Sequence, residues 1–113
     1  MHEYSIVSAL LERADGEARA RHAIAVHRLT VRIGDGAGVD RDLLAKAFEH
    51  VRAGTICSHA ELRVECVRER WDCPVCGRTL ERGAALSCEQ CGMPARLIAG
   101  DEIILERIEM EVP

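Results

Sequence analysis

The sequence predicts an α+β fold in which two helices pack on a three-stranded sheet, with a cysteine-rich module inserted before the last strand. Two segments repeat apolar residues at helical spacing, and three others alternate apolar with polar residues. The module, residues 70–96, holds four of the six cysteines but too few apolar residues to fold by burial alone. We therefore expect one domain formed by residues 1–69 plus 97–113 and a separate cross-linked module between them.

Two segments have the apolar periodicity of helices. Apolar residues of segment 6–14 lie on one face of a 3.6-residue repeat, which predicts the first helix. Asp40, a residue type that often caps helix N-termini, precedes the apolar face of segment 43–51 and marks the second helix. Gly54 follows at the point where helices commonly end in a left-handed residue.

The first predicted strand spans residues 25–34. Its apolar side chains alternate with Arg28, Thr30 and Arg32, the pattern of a strand with one buried and one polar face. The motif GDGAG overlaps the end of this strand, and its three glycines in five residues predict a loop. The strand and the loop therefore separate the two helices.

Two further strands flank the cysteine-rich module. Segment 62–66 alternates apolar and charged residues, with Cys66 expected on the inward face. Segment 102–112 alternates isoleucine and leucine with glutamate, and its alternation slips near Arg107, where we expect a bulge or bend. These two strands complete the predicted three-stranded sheet.

Composition argues against several classes of partner. The formal net charge is −4 and only three residues are aromatic, so the chain lacks the basic and stacking surfaces that bind nucleic acids. No apolar run approaches the roughly 18 residues of a membrane span, and no secretory signal pattern is visible. We expect a cytoplasmic protein with reduced cysteines and with no nucleic-acid or membrane partner.

The segment CPVCGRTLERGAALSCEQCG contains two C-x-x-C pairs, each followed by glycine. This spacing lets a tight turn point both sulfur atoms at one ion, and the glycine lets backbone N–H groups approach the thiolates. Four thiolates match the closed site of structural Zn²⁺, which has no open position for catalysis. Zinc is favoured, and a rubredoxin-like iron site is the alternative. The predicted ligands of this zinc-ribbon-like module are Cys73, Cys76, Cys88 and Cys91.

The remaining cysteines and most histidines receive simpler interpretations. Cys57 and Cys66 lie outside the C-x-x-C pairs, and we expect them to be small buried apolar residues. A single histidine is weak evidence for a metal site. We therefore expect solvated surface side chains at His22, His27, His50 and His59.

The N-terminal residues form a second candidate site. Met1, His2 and Glu3 offer an α-amine, backbone amide nitrogens, an imidazole and a carboxylate in sequence. Several nitrogen donors in a plane suit Ni²⁺ or Cu²⁺ better than tetrahedral Zn²⁺. The first N–H groups of a helix have no intrahelical acceptor, so their use as donors costs no helical hydrogen bond. An anionic group there would offset the repulsion between a cation and the helix dipole.

Four motifs together resemble a known family. MHEYSI, FEHVRAGT, the paired cysteines and GDEIILERIEMEV are similar, in this order, to the HypA/HybF family of hydrogenase nickel-insertion proteins. The similarity covers essentially the whole chain. It implies a nickel metallochaperone in which Met1, His2 and Glu3 carry Ni²⁺ transiently and the four cysteines hold structural Zn²⁺. It also implies two partners, a nickel-maturation GTPase and the large subunit of a [NiFe] hydrogenase; some members also serve urease.

Two other classes of function are weaker alternatives. A zinc-ribbon adaptor that binds protein or nucleic acid, without a nickel role, predicts a basic or aromatic face that this composition does not provide. An enzyme is disfavoured because the sequence offers no open metal site, glycine-rich phosphate loop or nucleophile–base pair. The favoured interpretation is a carrier that binds nickel at its N-terminus and delivers it for insertion into hydrogenase.

Overall fold

The computed structural model describes residues 2–80 and 87–113. Its strands form two three-stranded sheets, ordered β2-β1-β6 and β4-β3-β5. The predicted α+β fold of two helices on a three-stranded sheet with an inserted module is confirmed. The elements are α1 (His2–Ala20), β1 (Ala25–Gly34), a 3₁₀ helix (Asp35–Ala37), α2 (Arg41–Val51), β2 (Glu61–Val67), β3 (Arg70–Asp72), β4 (Thr79–Leu80), β5 (Arg96–Ala99) and β6 (Ile103–Glu111).

Both helices bury the apolar face that the sequence predicts. Helix α2 begins as expected, because the carboxylate of Asp40 accepts a hydrogen bond from the backbone N–H of Leu43 at 3.1 Å. Gly54 has a left-handed φ of 78° shortly after the helix ends. The buried apolar residues are Val7, Leu10, Leu11, Ala14 and Ala18 in α1, and Leu44, Ala47 and Phe48 in α2.

Strand β1 is more buried than its alternating pattern predicts. Leu29, Val31 and Ile33 are buried as expected, but Thr30 on the opposite face is buried too. Its position explains this burial, since β1 is the central strand, between β2 and β6, and side chains on neighbouring strands contact one another across a sheet. The guanidinium of Arg28, for example, lies 3.5 Å from a carboxylate oxygen on β2 and 3.4 Å from one on β6.

The two outer strands of this sheet depart from strict alternation. Cys66 is exposed, so the prediction that it is buried was wrong. The alternation of β2 slips after Val64: Cys66 turns to solvent and Val67 takes the half-buried position. In β6 the neighbouring residues Glu106 and Arg107 are both exposed, so the alternation is interrupted where the sequence indicates a slip. The bulge itself stays a prediction.

The chain divides into two compact units. The first contains Met1–Arg32, Val39–Glu65 and Ile104–Pro113, and the second contains Ile33–Gly38 and Cys66–Ile103. Met1 and residues 81–86 lie outside the described residues. Among the described residues, no helix has the length and apolar character needed to cross a membrane.

Within the second unit, glycines allow three backbone segments to approach closely. The N–H of Gly36 donates to the carbonyl of Gly100 at 2.7 Å, and the N–H of Gly34 donates to Glu102 at 2.8 Å. A β-carbon on Gly34 would collide with the carbonyl group of Gly100. Gly100 has a φ of 98°, and a β-carbon there would lie 2.5 Å from Cα of Glu69. Only residues without a side chain fit this crossing.

We predict that Gly100→Ala destabilises the protein, because the left-handed φ costs about 1–3 kcal/mol in a residue with a side chain and the close contact adds to it. Gly16→Ala is the matched control. Gly16 is exposed within α1 with nothing within 4 Å of its added β-carbon, so the change should stabilise the helix by roughly 0.5–1 kcal/mol. Thermal unfolding of metal-loaded protein measures both; equal melting temperatures for the two variants would contradict the prediction.

Candidate metal centres

The two C-x-x-C-G segments fold into matching turns. In the first, the N–H of Gly77 donates to the carbonyl of Cys73 at 2.8 Å; in the second, Gly92 donates to Cys88 at 2.8 Å. The glycines have φ angles of 70° and 71°. A left-handed residue therefore ends each turn, which explains why glycine follows both cysteine pairs.

Each turn closes a short hairpin. The N–H of Cys73 donates to the carbonyl of Arg78, and the N–H of Cys88 donates to Met93, both at 2.9 Å. Strand β3 continues the first hairpin by pairing antiparallel with β4, and an isolated bridge between Ser87 and Pro94 continues the second. The two hairpins present their cysteines in the same way, so both pairs can contribute to one centre.

The four predicted cysteine ligands come together. Their sulfur atoms all lie within 4.8 Å of one another, with 3.3 Å between Cys73 and Cys91 and 3.9 Å between Cys76 and Cys88. A tetrahedron of sulfurs around Zn²⁺ at about 2.3 Å has S–S edges of about 3.8 Å. The donor set and its spacing therefore fit a closed, four-sulfur metal site.

Backbone N–H groups and neighbouring thiols shift the pKa values within this cluster. The N–H of Cys76 lies 3.3 Å from the sulfur of Cys73, and this contact contributes most to lowering the pKa of Cys73 to about 6. The pKa of Cys76 is raised to about 12, chiefly by the side chain of Cys91. Without a cation the cluster thus keeps a thiolate beside a protonated thiol, and a divalent ion would replace the proton.

An ion pair and an indole hydrogen bond support the described part of the module. Arg96 on β5 places Nε and Nη2 at 3.1 and 3.2 Å from the two carboxylate oxygens of Asp72 on β3. The indole of Trp71, also on β3, donates to Glu69 at 3.0 Å. These polar contacts fix β3, the strand that leads into the first cysteine turn.

We predict that Co²⁺, used as a spectroscopic substitute for Zn²⁺, binds one ion per chain with thiolate charge-transfer absorption and tetrahedral ligand-field bands. Affinity should rise between about pH 6 and 8, because binding releases the protons of thiols with raised pKa. Cys73→Ser should lose this spectrum, whereas Cys66→Ser, at an exposed position outside the cluster, should keep it. Identical spectra for both variants would exclude the four-sulfur site.

The N-terminal segment is the second candidate site. The structure places His2 as the first residue of α1, with an exposed side chain. Glu3 is only 9% exposed, and its Oε2 accepts a hydrogen bond from the backbone N–H of Asp40 at 3.1 Å. That hydrogen bond is the main cause that lowers the pKa of Glu3. The carboxylate is therefore ionised and attached to the start of α2, while the imidazole faces solvent.

The sequence interpretation missed two residues beside this segment. Asp40 is predicted only to cap a helix, but its backbone N–H also donates a hydrogen bond to the carboxylate of Glu3. His50 is predicted to be only solvated, but its Nδ1 lies 3.2 Å from the hydroxyl of Tyr4. Asp40 caps α2 and His50 lies in its last turn, and no pattern in the sequence indicates that both meet the first turn of α1.

One other cysteine and two other histidines, for which the sequence predicts no role in a site, have their contacts elsewhere. Cys57 is buried as predicted, and its burial raises the pKa of its thiol. His27 pairs with Glu111 at 3.0 Å across the sheet. His22 takes a left-handed φ of 55° just after α1, which gives it a backbone role at the helix end.

Fold and site together define a small α+β protein with a four-sulfur metal module. A family model described as hydrogenase/urease nickel incorporation, metallochaperone HypA, matches residues 1–110. The chain therefore belongs to the HypA family, as its motifs indicate. This is a family of metallochaperones and maturation factors, not of enzymes.

Relatives and solved structures cover nearly the whole chain. The hydrogenase maturation factor HypA of Wolinella succinogenes is 39% identical over 114 residues, covering 98% of this chain and 96% of the relative. That of Aquifex aeolicus is 35% identical, with 99% of each covered. The solution structure of the Ni metallochaperone HypA from Helicobacter pylori is 28% identical, with a TM-score of 0.74 and 98% of each chain covered.

Proposed function

We propose that this protein binds Ni²⁺ at its N-terminus through Met1, His2 and Glu3 and delivers it for insertion into [NiFe] hydrogenase, with urease as a second target class. Membership of the HypA family supports a role in nickel incorporation. The observation that carries the site is the exposed imidazole of His2 at the first residue of α1. There it is accessible to an ion and adjacent to backbone amides that have no intrahelical acceptor.

The chemistry of these donors favours a planar ion. An α-amine, amide nitrogens and an imidazole supply the nitrogen-rich, square-planar set that Ni²⁺ accepts and tetrahedral Zn²⁺ does not favour. A cation at the N-terminus of α1 faces the positive end of the helix dipole. The ionised carboxylate of Glu3, one residue from His2, offsets that repulsion even while its Oε2 accepts the N–H of Asp40.

The four cysteines are proposed to hold Zn²⁺ with a structural role. Their closed sulfur set leaves no position for water or substrate, so the ion would cross-link the two hairpins of residues 70–96 without exchanging. Nickel is assigned to the domain of residues 1–69 plus 97–113. An exposed nitrogen site can release its ion to a partner, whereas a four-thiolate site would retain it. This difference supports a division between a fixed ion and a transported one.

We predict that nickel binds the untagged protein in a ratio of one per chain and that His2→Ala abolishes this binding. One extra residue ahead of Met1 should also abolish it, because the α-amine then moves away from the imidazole. Nickel should dissociate on acidification, because protons compete with the metal ion for its nitrogen donors. Isothermal titration and the d–d spectrum measure these effects.

Zinc content is the control in this titration. Cys66→Ser, which changes an exposed thiol outside both sites, should bind nickel like the wild type. Equal nickel binding by the native, extended and His2→Ala proteins at constant zinc content would refute the N-terminal site. A spectrum with sulfur ligands alone would refute it as well.

Delivery is proposed to involve a nickel-maturation GTPase and the large subunit of a [NiFe] hydrogenase in the cytoplasm. We predict that the nickel-loaded protein transfers its ion to the nickel-free large subunit faster when the GTPase and GTP are present. The His2→Ala variant should give no transfer above that of free Ni²⁺ at the same total concentration. Equal transfer by the variant and the wild type would show that this chain does not carry the ion.

A further inference from the structure

The first turn of α1 is held by both ends of α2. Oε2 of Glu3 accepts the N–H of Asp40, the residue that caps α2, at 3.1 Å. The next residue, Tyr4, places its hydroxyl 3.2 Å from Nδ1 of His50, in the last turn of α2. Two successive side chains of one helix therefore reach opposite ends of another.

The contact between Tyr4 and His50 has a defined geometry. Their ring centroids lie 6.2 Å apart with an interplanar angle of 74°, an edge-on arrangement that aromatic rings favour. The tyrosine hydroxyl donates to Nδ1 when the imidazole carries its proton on Nε2. Tyr4 is half-buried and His50 is exposed. A hydrogen bond and a ring contact together restrict the direction of the tyrosine side chain.

This restriction extends to the metal-binding end of the helix. Successive residues of an α-helix are rotated by about 100°, so fixing the side chains of Glu3 and Tyr4 fixes the rotation of the whole first turn. The direction in which the His2 side chain leaves the helix, and the direction of the first amides, then follow. Helix ends that lack such contacts fray, and ordering them on binding costs affinity.

We propose that His50 is a positioning residue for the nickel site and acts through Tyr4 to order the first turn of α1 before nickel arrives. This inference rests on the proposed N-terminal nickel site and deepens it. His50 itself does not bind the ion. It is exposed, while the buried face of α2 consists of other residues, Leu44, Ala47 and Phe48, so removing its imidazole leaves the core intact and affects the terminus.

The test compares nickel affinity of zinc-loaded Tyr4→Phe, His50→Phe and the double variant. Each single change should weaken nickel binding by about threefold to tenfold, the range that one hydrogen bond supplies. The double variant should be no weaker than either single one, because both remove the same contact. His50→Asn, whose side-chain oxygen can accept the same hydrogen bond near the Nδ1 position, should restore part of the affinity. Hydrogen exchange of amides 2–6 should accelerate in the Phe variants.

His27→Phe is the matched control, because His27 is also exposed but pairs with Glu111 on β6. It should leave nickel affinity and exchange at the terminus unchanged. Wild-type affinity in Tyr4→Phe and His50→Phe, or additive losses in the double variant, would overturn the proposal while the loss of binding in His2→Ala upholds the nickel site. Unchanged nickel binding in His2→Ala would overturn both.

Discussion

The central feature of the second compact unit is a group of four cysteine sulfur atoms that lie within 4.8 Å of one another. Backbone N–H groups favour a thiolate at Cys73, and the neighbouring sulfurs force Cys76 to keep its proton. A divalent cation would remove this conflict, since it would attract all four sulfur atoms as thiolates. The sequence of the module holds too few apolar residues to fold by burial alone. A bound ion would supply the cross-link that apolar burial supplies elsewhere in the chain.

The two candidate sites differ in donor atoms and in exposure, and these differences match their proposed roles. Soft sulfur donors, two of them buried at Cys73 and Cys88, suit an ion that stays. Nitrogen donors around the exposed His2 suit an ion that leaves. The proposed function thus assigns a structural metal site and an exchangeable one to one small chain.

Local pattern was sufficient to predict much of the fold. The cap at Asp40, the helix faces and the cysteine turns depend on residues within a few positions of one another, and the sequence displays these directly. The burial of Thr30 depends on strand order, and the exposure of Cys66 depends on where β2 loses its alternation. The contact of Tyr4 with His50 joins residues 46 positions apart, and no periodicity of either segment indicates it.

The contacts of α2 with successive residues of α1 require a particular length of α2. Asp40 and His50 must both reach the first turn of α1. One residue inserted between them would advance His50 by about 1.5 Å and rotate it by about 100° around the helix axis. The imidazole would then face away from Tyr4. The two contacts therefore constrain the number of residues in α2, in addition to the constraint that burial places on its apolar face.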